Sequence, residues 1–219
     1  MKKPNINLLA VIVAVPVIGM TIIAPALTII KNDLNISFEN TQLILTLYFT
    51  FLAFGQILSG PFSDKYGRKP ILLLGASIYS ISAFFASLSP NIEILLILRC
   101  FQGFGAAACL SVGRTILSDC YEIKEAAKEM SKMTAIMAVI PISCFIFGGF
   151  LAEFLGWRTN LLALGLISLI LIIAMSFLLN ETLIKKAKNI SFKKMFIVYR
   201  GLLKNFSFNF LICSSLLFA

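Results

Sequence analysis

Long runs of uncharged, largely apolar residues dominate the chain, and short charged segments separate them. Five runs contain no charged residue: Leu8–Ile30, Thr41–Phe62, Ile71–Leu88, Met133–Ala152 and Asn160–Leu179. A sixth run of similar length, Ile94–Leu117, contains Arg99 and Arg114. Each run can cross a hydrocarbon layer about 30 Å thick, which requires about 20 helical residues. The pattern therefore predicts six transmembrane helices, and the apolar run Phe206–Ala219 predicts part of a seventh.

The composition supports a membrane protein. Of the 219 residues, 59% are hydrophobic and only 13% are charged, whereas soluble proteins carry about 25% charged residues. Buried helices of a soluble protein would also show a polar stripe, which three of the runs lack. A cleavable signal peptide is disfavoured, because the first run continues past the small residues at Ala24 and Ala26. The predicted fold class is all-α and transmembrane.

The formal charge of +9 predicts orientation rather than a nucleic-acid partner. If the N-terminus is cytoplasmic, fifteen of the nineteen lysines and arginines fall in cytoplasmic segments. Such an excess follows the positive-inside rule for membrane proteins. The expected surroundings are therefore a lipid bilayer, with the N-terminus in the cytoplasm.

The residues needed for common enzyme chemistry are scarce. The chain contains no histidine, and none of its five cysteines forms a CxxC pair. A metal site is therefore not expected, nor is a cofactor. Without histidine or a phosphate-binding glycine loop, an enzyme is disfavoured.

Three regions are predicted along the chain. Residues 1–180 form a six-helix bundle, residues 181–205 form a basic cytoplasmic linker, and residues 206–219 begin a seventh helix. The linker holds seven basic residues and one acid, and its apolar spacing suggests an amphipathic helix on the anionic inner leaflet. Between the fourth and fifth spans, the loop Ser118–Lys132 is expected to form a short, solvated helix.

An internal repeat relates the two halves of the bundle. Gly60, Asp64, Gly67 and Lys69 recur 89 residues later as Gly149, Glu153, Gly156 and Arg158. Because three spans separate the copies, the copies lie on opposite faces of the membrane. This arrangement predicts an inverted 3+3 repeat, which transporters use for alternating access.

We name the stretch Gly60–Pro70, GPFSDKYGRKP, the charged turn. It resembles the loop between helices 2 and 3 of the major facilitator superfamily, which has the pattern G-x-x-x-D-x-x-G-R-[KR]. The run from Arg99 to Ala107 resembles the R-x-x-Q-G-x-G-A-A motif of helix 4 in the same superfamily. Arg114 to Tyr121 and Glu181-Thr182-Leu183 resemble the Bcr/CflA group of drug-resistance transporters.

The resemblance implies the N-terminal half of a twelve-helix transporter in the cell (inner) membrane. Such a protein exports small molecules by alternating access, coupled to protons by antiport, and needs a second six-helix half. The resemblance also implies a cytoplasmic latch formed by Gly60, Asp64, Gly67, Arg68, Lys69 and Asp119. From the residues themselves, Gly60 should admit a neighbouring helix, Gly67 should permit a tight turn, and Asp64 should accept backbone N–H bonds at a helix N-terminus. Arg68 can pair with Asp119 at the cytoplasmic end of the fourth span.

The candidate residues of the translocation pathway are Arg99, Gln102, Gly103, Arg114, Tyr48 and Gln56, with Gln42 and Thr46 beside them. An arginine near mid-membrane costs about 2.5–3.5 kcal/mol on insertion scales, so Arg99 should face the bundle interior or water. The alternative is that its guanidinium extends to the membrane interface, and the same alternative applies to Arg114.

The sequence departs from the Bcr/CflA pattern in two places. Thr21 stands where the group carries an acid in helix 1, and Cys144 to Gly149 retains only the glycine pair of the helix 5 motif. Because no span contains a buried carboxylate, proton antiport rests on the resemblance alone. A permease for a small metabolite and a non-transporting truncated remnant remain alternatives.

Overall fold

The computed structural model describes residues 4–183 and Gly201. The chain divides into two compact units, Met1–Lys186 and Ala187–Ala219. The predicted linker beyond Leu183 and the predicted partial helix 206–219 lie outside the described residues. The three-region division of the chain therefore stays a prediction.

Residues 4–183 form helices joined by short connections. The α-helices are α1 (Ile6–Thr21), α2 (Leu27–Asp33), α3 (Phe38–Tyr66), α4 (Arg68–Ser87), α5 (Ile92–Cys120), α6 (Ile123–Leu155) and α7 (Trp157–Leu178), with a 3₁₀ turn at Ala24–Ala26. Taken with the turn, α1 and α2 make one span, and the other five helices are each long and apolar enough to cross a membrane. The prediction of six transmembrane helices is confirmed.

The first span is interrupted, although its apolar run is continuous. Pro25 lies in the 3₁₀ turn between α1 and α2. Proline has no N–H to donate, and its ring collides with the carbonyl four residues earlier, so a helix commonly breaks there. The break at Ala24–Ala26 gives the outer part of the span its own helix, α2.

The connection between the fourth and fifth spans differs from the prediction. No separate helix covers Ser118–Lys132; the segment from Ile123 onward is the first part of α6, which runs for 33 residues. Glu129 and Lys132 form an ion pair of 2.7 Å on this surface, and such pairs one turn apart stabilise a helix. Because no glycine or proline intervenes before Pro141, the solvated helix continues into the span.

Helix α5 lies at the centre of the bundle. It packs against α3, α4 and α1, while α1 also packs against α6 and α4 against α7. Small residues make the closest approach possible: Gly75 of α4 meets Ala108 and the Gly105 carbonyl of α5. Small residues at such interfaces let two helix backbones approach closely in a membrane.

Backbone conformation supports the predicted inverted repeat. Gly67 has φ 113° and ψ 156°, and Gly156 has φ 84° and ψ 154°. Gly67 ends α3 and precedes α4, and Gly156 ends α6 and precedes α7 in the same way. This region of φ and ψ is essentially restricted to glycine. The two copies of the motif therefore make the same turn 89 residues apart.

Hydrogen bonds between α4 and α7 also follow the repeat. Ser80 Oγ donates to the Gly165 carbonyl at 2.8 Å, and Ser168 Oγ donates to the Ala76 carbonyl at 3.1 Å. Ala76 and Gly165 are themselves 89 residues apart. The donors Ser80 and Ser168 are 88 residues apart, so the two bonds, which run in opposite directions between equivalent helices, follow the repeat to within one residue.

The two turn glycines should differ in their tolerance of a side chain. Gly156→Ala should lower the free energy of unfolding by about 1–3 kcal/mol, because alanine must adopt a glycine conformation. Gly67→Ala should cost more, since its Cβ would also collide with the Glu181 carboxylate. Denaturation in detergent micelles measures both costs.

Gly60→Ala is the matched control for these variants. An added Cβ at Gly60 meets nothing within 4 Å, and alanine is the better helix former. Its stability should be unchanged or higher. Equal losses at Gly67 and Gly156 would contradict the collision with Glu181.

Candidate functional site

Arg68 joins three helices at one end of the bundle, here named the charged-turn end. It is the first residue of α4 and only 6% exposed. Its Nε donates to Asp119 Oδ2 at 2.9 Å, near the end of α5, and its Nη1 donates to Asp64 Oδ1 at 2.6 Å, near the end of α3. Nη1 also donates to Ser63 Oγ. The expected contact between Arg68 and Asp119 is therefore present, and Asp64 shares it.

The two carboxylates around Arg68 differ in exposure. The Asp119 side chain is 27% exposed, and the Asp64 side chain is 53% exposed. One buried guanidinium thus faces two carboxylates, which leaves this group of three side chains with a formal charge of −1. An exposed ion pair alone contributes little, but charge-assisted bonds to a buried arginine are stronger. Asp64 remains accessible to a further donor.

Glu181, which follows α7, caps the start of α4. Its Oε1 accepts hydrogen bonds from the backbone N–H groups of Arg68 at 2.9 Å, and of Thr182 and Leu183 at 3.0 Å each. Its Oε2 accepts a fourth from the N–H of Lys69 at 3.3 Å. A carboxylate at this position also interacts favourably with the helix dipole.

A second contact ties the same two segments together. Lys69 Nζ donates to the Ser176 carbonyl in the last turn of α7, at 2.7 Å. Two contacts therefore join the end of α7 to the start of α4: Glu181 accepts from the N–H groups of α4, and Lys69 donates to the last turn of α7. The chain that leaves the sixth span is held against the charged turn.

Hydrogen bonding lowers the pKa of Glu181. Partial burial alone would raise this pKa, but the four backbone N–H donors, from Leu183, Arg68, Thr182 and Lys69, outweigh it and favour the carboxylate. In the sequence, Glu181 is only part of the Glu181-Thr182-Leu183 resemblance. The sequence predicts Asp64 as an acceptor of N–H groups at a helix N-terminus; within residues 4–183, Glu181 accepts those of α4, and Asp64 accepts from the Arg68 side chain. An acid directly after the sixth span was the available signal.

Gly60 does not admit a neighbouring helix within the described bundle. An added Cβ there would meet nothing within 4 Å. The expectation that Gly60 sits at a helix contact is therefore not met by α1 to α7. The side of α3 that carries Gly60 is open.

Arg99 lies fully buried inside the bundle, with 0% of its surface exposed. Its Nη1 donates to Gln102 Oε1 at 2.6 Å, its Nη2 to the Gly19 carbonyl at 3.2 Å, and its Nε to the Ile44 carbonyl at 3.4 Å. The guanidinium carbon lies 4.3 Å from the centre of the Tyr48 ring, a favourable cation–π distance. The guanidinium is thus held by α1, α3 and α5, and it does not extend to an interface.

The pathway candidates fall into two groups. Tyr48, Arg99, Gln102 and Gly103 come together in the bundle core, where Gly103 packs against the Tyr48 carbonyl and Tyr48 Oη donates to the Pro16 carbonyl at 3.0 Å. Arg114, Gln42 and Thr46 are exposed, and Gln56 is half-buried. The structure therefore brings four candidates together and leaves the others apart. Their part in a pathway stays a prediction.

A cleft of about 580 Å³ lies between α2 and α3. It is lined by Leu27, Thr28, Lys31, Phe38, Thr41, Gln42, Leu45, Thr46 and Phe49. The lining combines aromatic and aliphatic side chains with hydroxyl, amide and ammonium groups, and it includes no carboxylate. Such a mixture suits an amphipathic small molecule.

The Major Facilitator Superfamily model matches residues 9–219. The chain belongs to this superfamily. It is 30% identical to a bicyclomycin resistance protein homolog of Haemophilus influenzae, over 80% of this chain and 44% of that protein. It is 33% identical to a chloramphenicol resistance protein of Pseudomonas aeruginosa, over 68% of this chain and 36% of that protein. The chain thus spans less than half the length of these relatives.

A solved structure supports the fold. A bacterial homolog of the human lysosomal transporter Spinster, in an inward-facing and unoccupied conformation, matches with a TM-score of 0.71 at 20% identity. The match covers 84% of this chain and 44% of that one. The all-helical bundle is therefore that of an N-terminal half of this superfamily, in a multi-pass membrane protein.

Removing the Glu181 cap should destabilise the bundle. Glu181→Ala should lower the free energy of unfolding by about 0.5–2 kcal/mol at neutral pH, the usual cost of losing a helix cap. Because the folded pKa lies below the ordinary value of 4.5, this contribution is complete above about pH 4.5 and is lost as the pH falls through the lowered pKa. Wild type and variant should therefore converge in acid, as measured by denaturation in detergent micelles.

Glu122→Ala is the control for Glu181→Ala. Glu122 precedes α6, and its side chain makes no capping hydrogen bond. Its variant should resemble wild type at every pH. A difference between wild type and Glu181→Ala that stays constant down to the lowest pH tested would contradict the assigned role.

The buried arginine should be needed for packing. Arg99→Ala should lower the free energy of unfolding by at least about 1.5–3 kcal/mol, the contribution of a hydrogen bond to a charged group. Arg114→Ala, at an exposed site on the same helix, should stay within about 0.5 kcal/mol of wild type. Denaturation in micelles measures both, and equal stabilities would show that the Arg99 contacts contribute nothing.

Proposed function

We propose that the chain is the N-terminal half of a transporter that exports small molecules or drugs by alternating access. The observation that carries the proposal is a six-helix bundle of this superfamily whose length is under half that of relatives named for resistance to bicyclomycin and chloramphenicol. The partner is a second six-helix half, and the site of action is the cell (inner) membrane. The N-terminus is cytoplasmic, as the distribution of basic residues favours.

The charged turn serves as a latch between the two halves. Arg68 fixes Asp64 beside Asp119, yet the Asp64 side chain stays 53% exposed. The surface at Gly60 is also open, so a helix of the second half can approach both residues. An accessible carboxylate can then accept N–H groups from that helix's N-terminus. This contact closes the cytoplasmic side of the transporter, and it breaks when that side opens.

Proton coupling requires a titratable group that the second half supplies. All ten acidic residues of the chain lie in connections or within two turns of a helix end. The buried cation Arg99 makes its hydrogen bonds to neutral acceptors. Within an antiport cycle, a mid-membrane carboxylate is the usual proton carrier. This half therefore contributes scaffold, latch and part of the pathway.

Substrate contacts in this half lie along the cleft between α2 and α3. Its aromatic and hydroxyl lining accepts an amphipathic molecule, and Lys31 is the charged group that it includes. A permease for a small metabolite is the second candidate, because the same lining also suits such a ligand. Efflux and uptake assays in the full-length transporter, with drugs and with small metabolites, separate the two functions.

The latch is tested by a double-mutant cycle in the full-length transporter. Arg68→Ala and Asp119→Ala should each impair transport, and the double variant should lose less than the sum, because both remove one interaction. Asp64→Asn should slow turnover and leave equilibrium binding of substrate nearly unchanged. Transport rates and binding assays provide these two readouts.

Lys65→Ala is the control, since Lys65 lies in the same turn and its ammonium contacts the Tyr66 ring rather than a carboxylate. It should transport at a rate near that of wild type. Additive losses from Arg68 and Asp119 would show that their contact does not matter for transport. A large loss of binding in Asp64→Asn would place the charged turn in the substrate site instead.

A further inference from the structure

A second charged cluster lies at the end of the bundle opposite the charged turn. Asp33, the last residue of α2, accepts a hydrogen bond from Trp157 Nε1 at 2.9 Å and from Arg158 Nη1 at 2.8 Å, both through Oδ2. Arg158 Nη2 also donates to the Ser89 carbonyl at 3.3 Å, in the connection between α4 and α5. The Arg158 guanidinium lies 4.3 Å from the Trp157 ring. We call these residues, with Glu153, the opposite cluster.

The opposite cluster is related to the charged turn by the internal repeat. Asp33 precedes Asp119 by 86 residues, and the same interval separates Asn5 from Asn91, the N-caps of α1 and α5. Glu153 follows Asp64 by 89 residues, as Gly156 follows Gly67. Trp157 follows Arg68 by 89 residues and Arg158 follows Lys69 by the same interval. Asp33 accepts from both Trp157 and Arg158, so the opposite cluster also pairs an acid at the end of one helix with a base at the start of another, shifted by one residue.

The two clusters differ in how their arginine is used. Arg68 contacts both of its acids, whereas Arg158 contacts Asp33 and a backbone carbonyl and does not reach Glu153. Glu153 is exposed near the end of α6. Among residues 4–183 its carboxylate makes neither a hydrogen bond nor an ion pair. It is thus a carboxylate that still lacks a donor, at the position equivalent to Asp64.

Exposed apolar side chains neighbour Glu153 along the sequence of α6. Phe150 and Phe154 are 57% and 66% exposed, with their ring centres 4.5 Å apart, and Leu155 is 64% exposed. Tyr66, the equivalent of Leu155 beside Asp64, is 47% exposed and stacks with Phe62. Lipid can cover these apolar side chains, but it offers the carboxylate no N–H donors, which the helix N-terminus of a protein partner supplies.

We propose that the opposite cluster is the second contact surface for the missing half, and that Glu153 accepts N–H groups at the N-terminus of one of its helices. The proposal rests on the proposed function. The partner is the second half, which corresponds to the more than half of each relative's length that this chain does not match. A negative side chain and the positive end of a helix are complementary in charge. Asp33 and Arg158 act as positioning residues that hold the turn in place.

The consequence is that the two ends of the transporter close in turn. The charged turn holds one end shut while the opposite end is open, and Glu153 holds the opposite end shut in the other conformation. Each contact forms only when the other breaks, because the halves rock about a shared centre. A single turn sequence, repeated in inverted orientation, thus stabilises both conformations.

The experiment compares charge-removing variants at the two ends of the full-length transporter. Single reporter cysteines near each end, in a background without the natural cysteines, report accessibility to a polar thiol reagent. Asp64→Asn should raise accessibility at the charged-turn end, and Glu153→Gln should raise it at the opposite end. Each charge at a helix N-terminus should change the conformational equilibrium about two- to fivefold, and the double variant should lie between the single variants.

Glu93→Gln is the matched control, because Glu93 is an exposed acid in the first turn of α5 at the same end of the bundle. It should leave both accessibilities unchanged, and elution as a single detergent-solubilised species confirms that each variant is folded. A Glu153→Gln variant that behaves like Glu93→Gln, or that shifts in the same direction as Asp64→Asn, overturns the proposal. Failure of Asp64→Asn to shift the equilibrium contradicts the proposed latch instead, so the two failures are distinguishable.

Discussion

The exclusion of water from the bilayer is the constraint on which the rest of this structure depends. Within hydrocarbon each backbone N–H and C=O must be paired inside the protein. An α-helix meets this requirement, because its backbone hydrogen bonds form within a single segment. It also limits where charge can lie. Arg99 satisfies the limit by donating to two backbone carbonyls and an amide oxygen within the core. The packing of three helices follows from that need for acceptors.

Charge at the ends of the bundle has a different role, because water is available there. Arg68 and Arg158 each connect helices that are distant in sequence, through Asp119 and Asp33 respectively. Glu181 adds a link from the exit of α7 back to the start of α4. These contacts fix the relative positions of helix ends, whereas small residues determine how closely the helices pack between them. Polar bonds at the two ends and close packing between them together make a rigid unit.

Rigidity within one half suits a protein that works by moving two halves against each other. The contacts of Arg68 and Arg158 with Asp119 and Asp33 are internal to this bundle, so in the proposed cycle they persist when the halves separate. The carboxylates of Asp64 and Glu153 lie near these contacts and are themselves exposed. The inverted repeat places one such carboxylate at each end. The proposed alternating closure of the two ends then needs no change in the fold of this bundle.

The sequence by itself determined the six spans, the repeat and the charged turn, because span length, charge spacing and glycine positions are local properties of the chain. It also predicted the pairing of Arg68 with Asp119. Only the tertiary structure showed that Pro25 breaks its span while Pro16, Pro61 and Pro141 lie inside continuous helices. It likewise showed that Glu181, and not Asp64, caps α4. These features depend on which distant groups supply hydrogen bonds, and the spacing of residues along a helix does not encode that choice.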